Sequence, residues 1–415
     1  MNRWVLVCLA GLILAPLTAM AQTCPSLHTA VAQAAGHDAR IRVADAQSSR
    51  AQAQYQQARS PLFPQVDSFA RAGVGDGALA DNQVDNRVGI QASQNLIDLA
   101  LGGAITAARA EADAAQAETV RTRRDIARET ATAYAAVAHH QARLAVLRAY
   151  AERLDSHAPR RAESFAIGAM TREDVEAWST ERARAHSAVI EETGALAAAQ
   201  TALDHLTGAS TCVDAASLDT DLMARRAADD GQYLAAVVTD NPKRVQASAR
   251  ISQAEGQVRE TRRARWPRLV LSGFYAQDFD SMSETWRQRD RIGLDLRLPI
   301  LSGGRYRAEL ASSRAGLEVA QAQHDKTLSD LDAYLGNTLT QIDLGQQKHS
   351  RLVELRDGKL RVRDALDAAL KISAATLDEA DRAQADYVAA ALGEIDARHE
   401  LTQVWIGLLT EAGRL

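Results

Sequence analysis

Few side chains in this sequence are placed to do chemistry. His139 and His140 are adjacent, and paired imidazoles can begin a metal site, yet no histidine or cysteine cluster has the spacing that zinc requires. His140 also falls on a heptad seam, so a packed or solvated histidine is the simpler reading, and no metal or other cofactor is expected. Serines and aspartates are abundant, but nothing sets a base beside a nucleophile. Gly102–Gly103 and Gly303–Gly304 are too isolated for a phosphate loop and suit the turn from a strand into a helix. No enzyme is indicated. Asp378 and Asp381 stand apart. Three residues apart, they share one helical face. A solvated acidic helix start, favoured by the helix dipole, fits the same residues.

These residues need elements to hold them, and the composition says which. The chain has 415 residues, 46% hydrophobic but only 4% aromatic. Aromatics supply much of a compact core's buried area, so long helices packed as coiled coils fit better than several globular cores. The eight prolines leave 65–158 and 300–415 free of breakers. A formal charge of -5 with interspersed signs gives no basic footprint, and no nucleic-acid partner is expected. No segment after the N-terminal region has the roughly 18 apolar residues of a transmembrane helix. The start differs: Arg3, the apolar stretch Trp4–Leu14 and Ala19–Ala21 read as a secretory signal over 1–21. Cys24 follows the cut closely, but Ala21, Gln22 and Thr23 do not make a lipidation signal.

An internal repeat organises the rest. Residues 38–66 align without a gap onto 241–269: Asp38 with Asn241, Ala51 with Ala254, Arg59 with Arg262, Pro64 with Pro267. Gly89 and Gly293 then correspond, and each copy continues through a glycine pair into a long helical run. The expected layout is a first repeat over 22–208, a linker over 209–230 and a second repeat over 231–415. Val137, Leu144 and Ala151 lie seven apart, with Leu147 and Leu154 on the complementary seam, and Leu328 to Ile342 repeat at three and four, as coiled-coil packing requires. Gly168 can take the positive φ that ends a helix. Thr171 is a candidate N-cap with Asp174 three residues on, close to a capping box, and Ile372 to Thr376, including Ser373, is the equivalent turn. Strands are expected near 65–74, 87–97, 268–278 and 290–301. Their alternation, clearest in Arg291–Leu298, fits tilted membrane strands and equally a small sheet with one wet face. Short apolar side chains and the secretory signal favour the membrane. Four strands cannot close a barrel, since about eight are needed, so an oligomer follows.

In this order, the Pro64 and Pro267 corners, the reversal at Phe165–Val175 and the closing Leu206–Gly208 resemble the TolC-type outer-membrane channel proteins of Gram-negative exporters, over essentially all of 25–415. The resemblance implies a mainly α fold with a membrane β-barrel. A homotrimer would contribute four strands per chain to one 12-stranded barrel, continued by a coiled-coil α-barrel through the periplasm. It implies an outer-membrane location, contact with outer-membrane lipid, and a passive exit duct for tripartite efflux or type I secretion, working with an inner-membrane transporter and a periplasmic adaptor. The alternative is that the chain is itself such a coiled-coil adaptor, though an adaptor would not duplicate the unit together with its strands. By resemblance, Gly168, Thr171, Asp174, Ser373 and Thr376 lie at the tips that meet the adaptor, and Asp378 and Asp381 line the closed periplasmic entrance. A trimer would stack them there into two rings of carboxylates that attract cations, repel anions and raise one another's pKa. The family's arginine four residues before the first aspartate is Ala374 here, leaving Asp174 without that partner. The residues Gly75–Asn86 and Phe279–Asp290 would be extracellular loops. The mature N-terminus would lie near the equatorial belt, bringing Cys24 to Cys212; a disulfide is expected there, against two free buried thiols.

Overall fold

A computed structural model describes residues 24–72, 74–77, 80–84, 86–214, 237, 239–280 and 285–415. The expected signal segment 1–21 and residues 215–230 of the expected linker lie outside the described residues. The chain opens with helices α1 (Leu27–His37) and α2 (Ala39–Arg59), and a 3-10 turn leads into β1 (Gln65–Arg71). Two short strands, β2 (Val74–Gly77) and β3 (Ala80–Val84), precede β4 (Asn86–Ile97), the long helix α3 (Leu101–Ala166) and its antiparallel return α4 (Arg172–Thr207). The second half repeats the order with α5 (Pro242–Arg263), β5 (Arg268–Asp280), β6 (Thr285–Arg297), α6 (Arg305–Lys371) and α7 (Leu377–Glu411).

The duplication is visible in the caps. The Asp38 side chain accepts from the Arg40 N–H to start α2, and its repeat partner Asn241 accepts from the Lys243 N–H to start α5. Both satisfy an otherwise orphaned first-turn donor. The α3 helix has 66 residues, so at about 1.5 Å per residue it is roughly 100 Å long. No single core could enclose such a rod. It buries its heptad seam lengthwise instead: Val137, Leu144, Leu147, Ala151 and Leu154 are all buried. Near mid-length, Tyr134, Ala135 and Val137 of α3 meet Leu27 and Ala30 of α1, Leu203 of α4 and Ile406 of α7 in one core.

Toward the sheet, the helix seams narrow. Ala110, Ala114, Ala117, Ala247 and Ala254 are buried there. A Cβ on Gly103 would stand 2.3 Å from the Glu260 backbone nitrogen, and one on Gly256 would stand 2.6 Å from that of Ala107. Here α3 and α5 touch backbone to backbone. The expected strand-to-helix turn therefore holds for Gly303 and Gly304, both at positive φ. By contrast, Gly102 and Gly103 lie inside the first turn of α3 and serve close approach.

The four long strands form an antiparallel sheet in the order β1-β4-β5-β6. The two repeats join at β4–β5, and β1 and β6 are left as edges. Two expected loops are shorter than the sequence suggested: β2 pairs with β3 from Val74–Val84 to Gly77–Ala80, and β6 begins at Thr285. Strand β6 consequently spans Thr285–Arg297, earlier than the expected 290–301. The polar alternation of Arg287 to Asp290 does not mark lipid contact, but its backbone continues the ladder.

Candidate functional site

The register assigns every strand residue to a face, because cross-strand partners share one. Val66, Val88, Ile90, Leu271, Tyr275, Ile292, Leu294 and Leu296 lie on one side. All of these are exposed, Ile292 at 84% and Leu296 at 68%. The other side carries Asp67, Phe69, Arg71, Arg87, Gln91, Phe274, Asp278, Arg289, Arg291 and Asp295. Charged residues facing lipid would cost several kcal/mol near the midplane, so the apolar face is the lipid face and the charged face the lumen. Strands β5 and β6, each of 13 residues, are long enough to cross a bilayer when tilted.

At the far end of the helices, the two reversals are built alike. Gly168 and Ser373 take positive φ, +74° and +58°. Ala169 and Ala374 each donate to a carbonyl five residues back, closing a Schellman-type turn. Thr171 with Asp174, and Thr376 with Glu379, form complete capping boxes. Ile167 and Ile372 stand exposed at the two tips.

Beside the second reversal the expected acidic pair is drawn against α3. The buried Arg161 sends one Nη to Asp378 at 2.7 Å and to Asp381 at 2.8 Å. His157 bonds the other oxygen of Asp381 at 2.8 Å, and the Arg161 guanidinium lies 5.5 Å from the centre of the Trp178 ring on α4. Burial pushes the Asp381 carboxyl up, but hydrogen bonds from His157 and Arg161 outweigh it and hold it below the ordinary 3.8. Within one chain, Asp381 is thus lowered and not raised. Asp174, without an arginine at 374, bonds Thr171 of its own capping box. Neither Arg161 nor His157 had been singled out, although Arg161 continues the spacing of Leu147 and Leu154 and places a charge on an apolar seam.

Further polar ties follow along α3. Arg153 donates to Asp367 of α6 at 2.8 Å. Arg143 joins Glu192 of α4 at 3.0 Å and Asp396 of α7 at 2.6 Å. His139 and His140 bond to Asp396 and Glu192 respectively, and His399 stacks on His139 at 4.3 Å. Burial, with His139 and His140 nearby, pushes His399 down to about 4. These histidines are part of an interhelical network, and no group of three ligands suited to a metal occurs among the described residues. At mid-length the structure brings Cys24 and Cys212 together as a disulfide with Cα atoms 5.1 Å apart. Tyr134 donates to the Pro25 carbonyl beside it at 3.0 Å.

A membrane sheet with open edges, a charged lumen face and helices long enough to cross the periplasm define an outer-membrane efflux channel. The chain belongs to the outer membrane efflux protein family, whose profile matches residues 30–209 and 237–414. Both repeats are included, which disfavours the adaptor alternative. The fold is shared with the outer membrane protein VceC of Vibrio cholerae (18% identical, TM-score 0.80, covering 93% of this chain and 96% of that one). It is shared also with the Campylobacter jejuni outer membrane channel CmeC (15%, TM-score 0.79, 94% and 85%). The Neisseria gonorrhoeae outer membrane channel MtrE, solved in its open state, is a third (16%, TM-score 0.77, 94% and 89%). No curated protein sequence matches significantly.

Proposed function

We propose that three copies of this chain close into one duct, with β1 of each copy pairing with β6 of the next in a 12-stranded barrel. Below it the helices form a coiled-coil tunnel through the periplasm. The duct is the passive, non-enzymatic exit of a tripartite efflux or type I secretion system. The contrast between the two long helices carries this reading. Nineteen residues of α3 are buried but only four of the equally long α6, and Leu339, Leu344, Leu355 and Val362 of α6 stand exposed. Such apolar surface calls for a partner, and the edges β1 and β6 call for one at the same end.

In this reading 1–21 is a removed signal, 22–208 and 231–415 are the two repeats, and 209–230 belongs to the equatorial belt, tied to the N-terminus through Cys24 and Cys212. Gly168, Thr171, Asp174, Ser373 and Thr376 form the tips that meet the periplasmic adaptor. Asp378 and Asp381 form the entrance, held against α3 by Arg161 and His157. Outer-membrane fractionation with heat-modified mobility and cross-linking tests the assembly; a monomer in the soluble periplasmic fraction would overturn it. Gly168→Val tests the tip. Normal trimer levels with lost export are expected, and normal export would remove Gly168 from the adaptor contact.

A further inference from the structure

The lumen face of the sheet carries charge unlike that of the chain as a whole. Three successive rows, one row inside the Asp280–Thr285 pair, follow from the register. The first joins Arg71, Arg87, Asp278 and Arg287; the second joins Phe69, Gly89, Ala276 and Arg289; the third joins Asp67, Gln91, Phe274 and Arg291. Five arginines stand against two aspartates, a formal +3 within a chain whose total is -5. Asp278 bonds both Arg87 and Arg289, so this one carboxylate is shared between two guanidinium groups. Phe69 and Phe274 lie among the arginines, with Arg71 packed over the Phe69 ring at 5.7 Å. Arg71, Arg87 and Arg291, with Phe69, Phe274 and one carboxylate, Asp295, line a concavity of about 410 Å³ on this face.

From these rows we propose that the barrel lumen is a binding surface for organic anions, and that the cargo leaving through it is anionic with an aromatic or apolar body. The inference rests on the trimeric duct, where three copies would bring the described rows to a formal +9. Charge of one sign in a confined low-dielectric lumen concentrates counter-ions, and rings of arginine favour anions in pores. The guanidinium fork adds geometry, since it binds carboxylate, sulfonate or phosphate oxygens in pairs. The phenyl faces supply apolar contact beside it. The hairpin ends, whose side chains lie outside the described residues, are not part of this surface.

Single trimers in planar bilayers test it. Naphthalene-1,3,6-trisulfonate added on the hairpin side should block conductance in a voltage-dependent manner, and hexaamminecobalt(III) on that side should not. Replacing Arg287, Arg289 and Arg291 with Gln should weaken the block by about tenfold or more, within the range that charge focusing supplies. Arg289→Gln alone, at a 61% exposed side chain, should weaken it in the same direction and keeps the test open if the triple variant assembles poorly. Block by the cation instead of the anion, or trisulfonate block indifferent to the arginines, would overturn the proposal. Inserted trimers that conduct nothing would overturn the duct itself, a different result from either.

Discussion

Arg161 concentrates the energetics of the tip in one residue. Its side chain is 2% exposed, yet it serves two carboxylates of α7, one of them half-exposed. Removing one partner of a buried ion pair costs about 3–5 kcal/mol, and His157 remains to bond Asp381, so Arg161→Met should cost about 3 kcal/mol, the low end. Thermal melting should fall, and single-channel conductance should rise because α7 is released from α3. Acid should not mimic this in the mild range. Asp381 titrates below 3.8 in the folded chain, so its contribution is complete above that value and is lost only as pH falls through the lower folded value. His399 behaves differently. With a folded pKa of about 4 against an ordinary 6.5, the unfolded chain binds the extra proton first. Stability should decline as pH falls from 6.5 toward 4 and level off below. Melting of His399→Gln across that range should show a flatter dependence. The signal for Arg161 lay in the sequence as an arginine seven residues beyond Leu154, and that for Asp378 and Asp381 in their spacing; that the three meet did not show there.

Between elements, the narrowest contact is that of α3 with α5. A side chain at Gly103 would meet backbone, not a movable side chain, so the helices must separate to admit it. Gly103→Val should therefore destabilise by about 1–3 kcal/mol, the usual cost of overpacking, measured as a lower melting temperature with helix content retained. The spacing of the glycine pair pointed to a turn, and the contact with α5 was not legible because it joins residues more than 150 positions apart. The reversals were more legible. Gly168, Thr171 and Asp174 announce a Schellman turn and capping box locally, within one turn of helix. In the second reversal the capping partner is Glu379, and Ser373 takes the left-handed position that glycine holds in the first.

Over the whole molecule, the disulfide joins positions 188 residues apart. It ties the start of the first repeat to the end of α4. Closing a loop of that length contributes about 5 kcal/mol in the chain-entropy model. Cys212→Ser, or reductant added to the wild type, should lower the melting temperature by equivalent amounts, with the trimer still assembling. Equal melting with and without reductant would show that the bond does not form or does not matter. The exposed apolar rows of α6 belong to this scale as well. A single chain leaves them bare, so stability should depend on protomer concentration.

Periodic and local features were settled by the sequence alone: the duplicated unit, the long helices, the cap at Thr171 with Asp174, and the two faces of Arg291–Leu298. Each needs only neighbours within a turn or a pleat, so chain order suffices. Only the tertiary structure decided which distant segments meet. Arg161 and Asp381 are 220 residues apart, and His140 lies 52 residues from Glu192. Alternation put charges on one face of Arg291–Leu298, but only the pairing of β4 with β5, across the two repeats, stacked the arginines into rows. Register between segments is set by packing along their whole length, and no spacing within one segment encodes it.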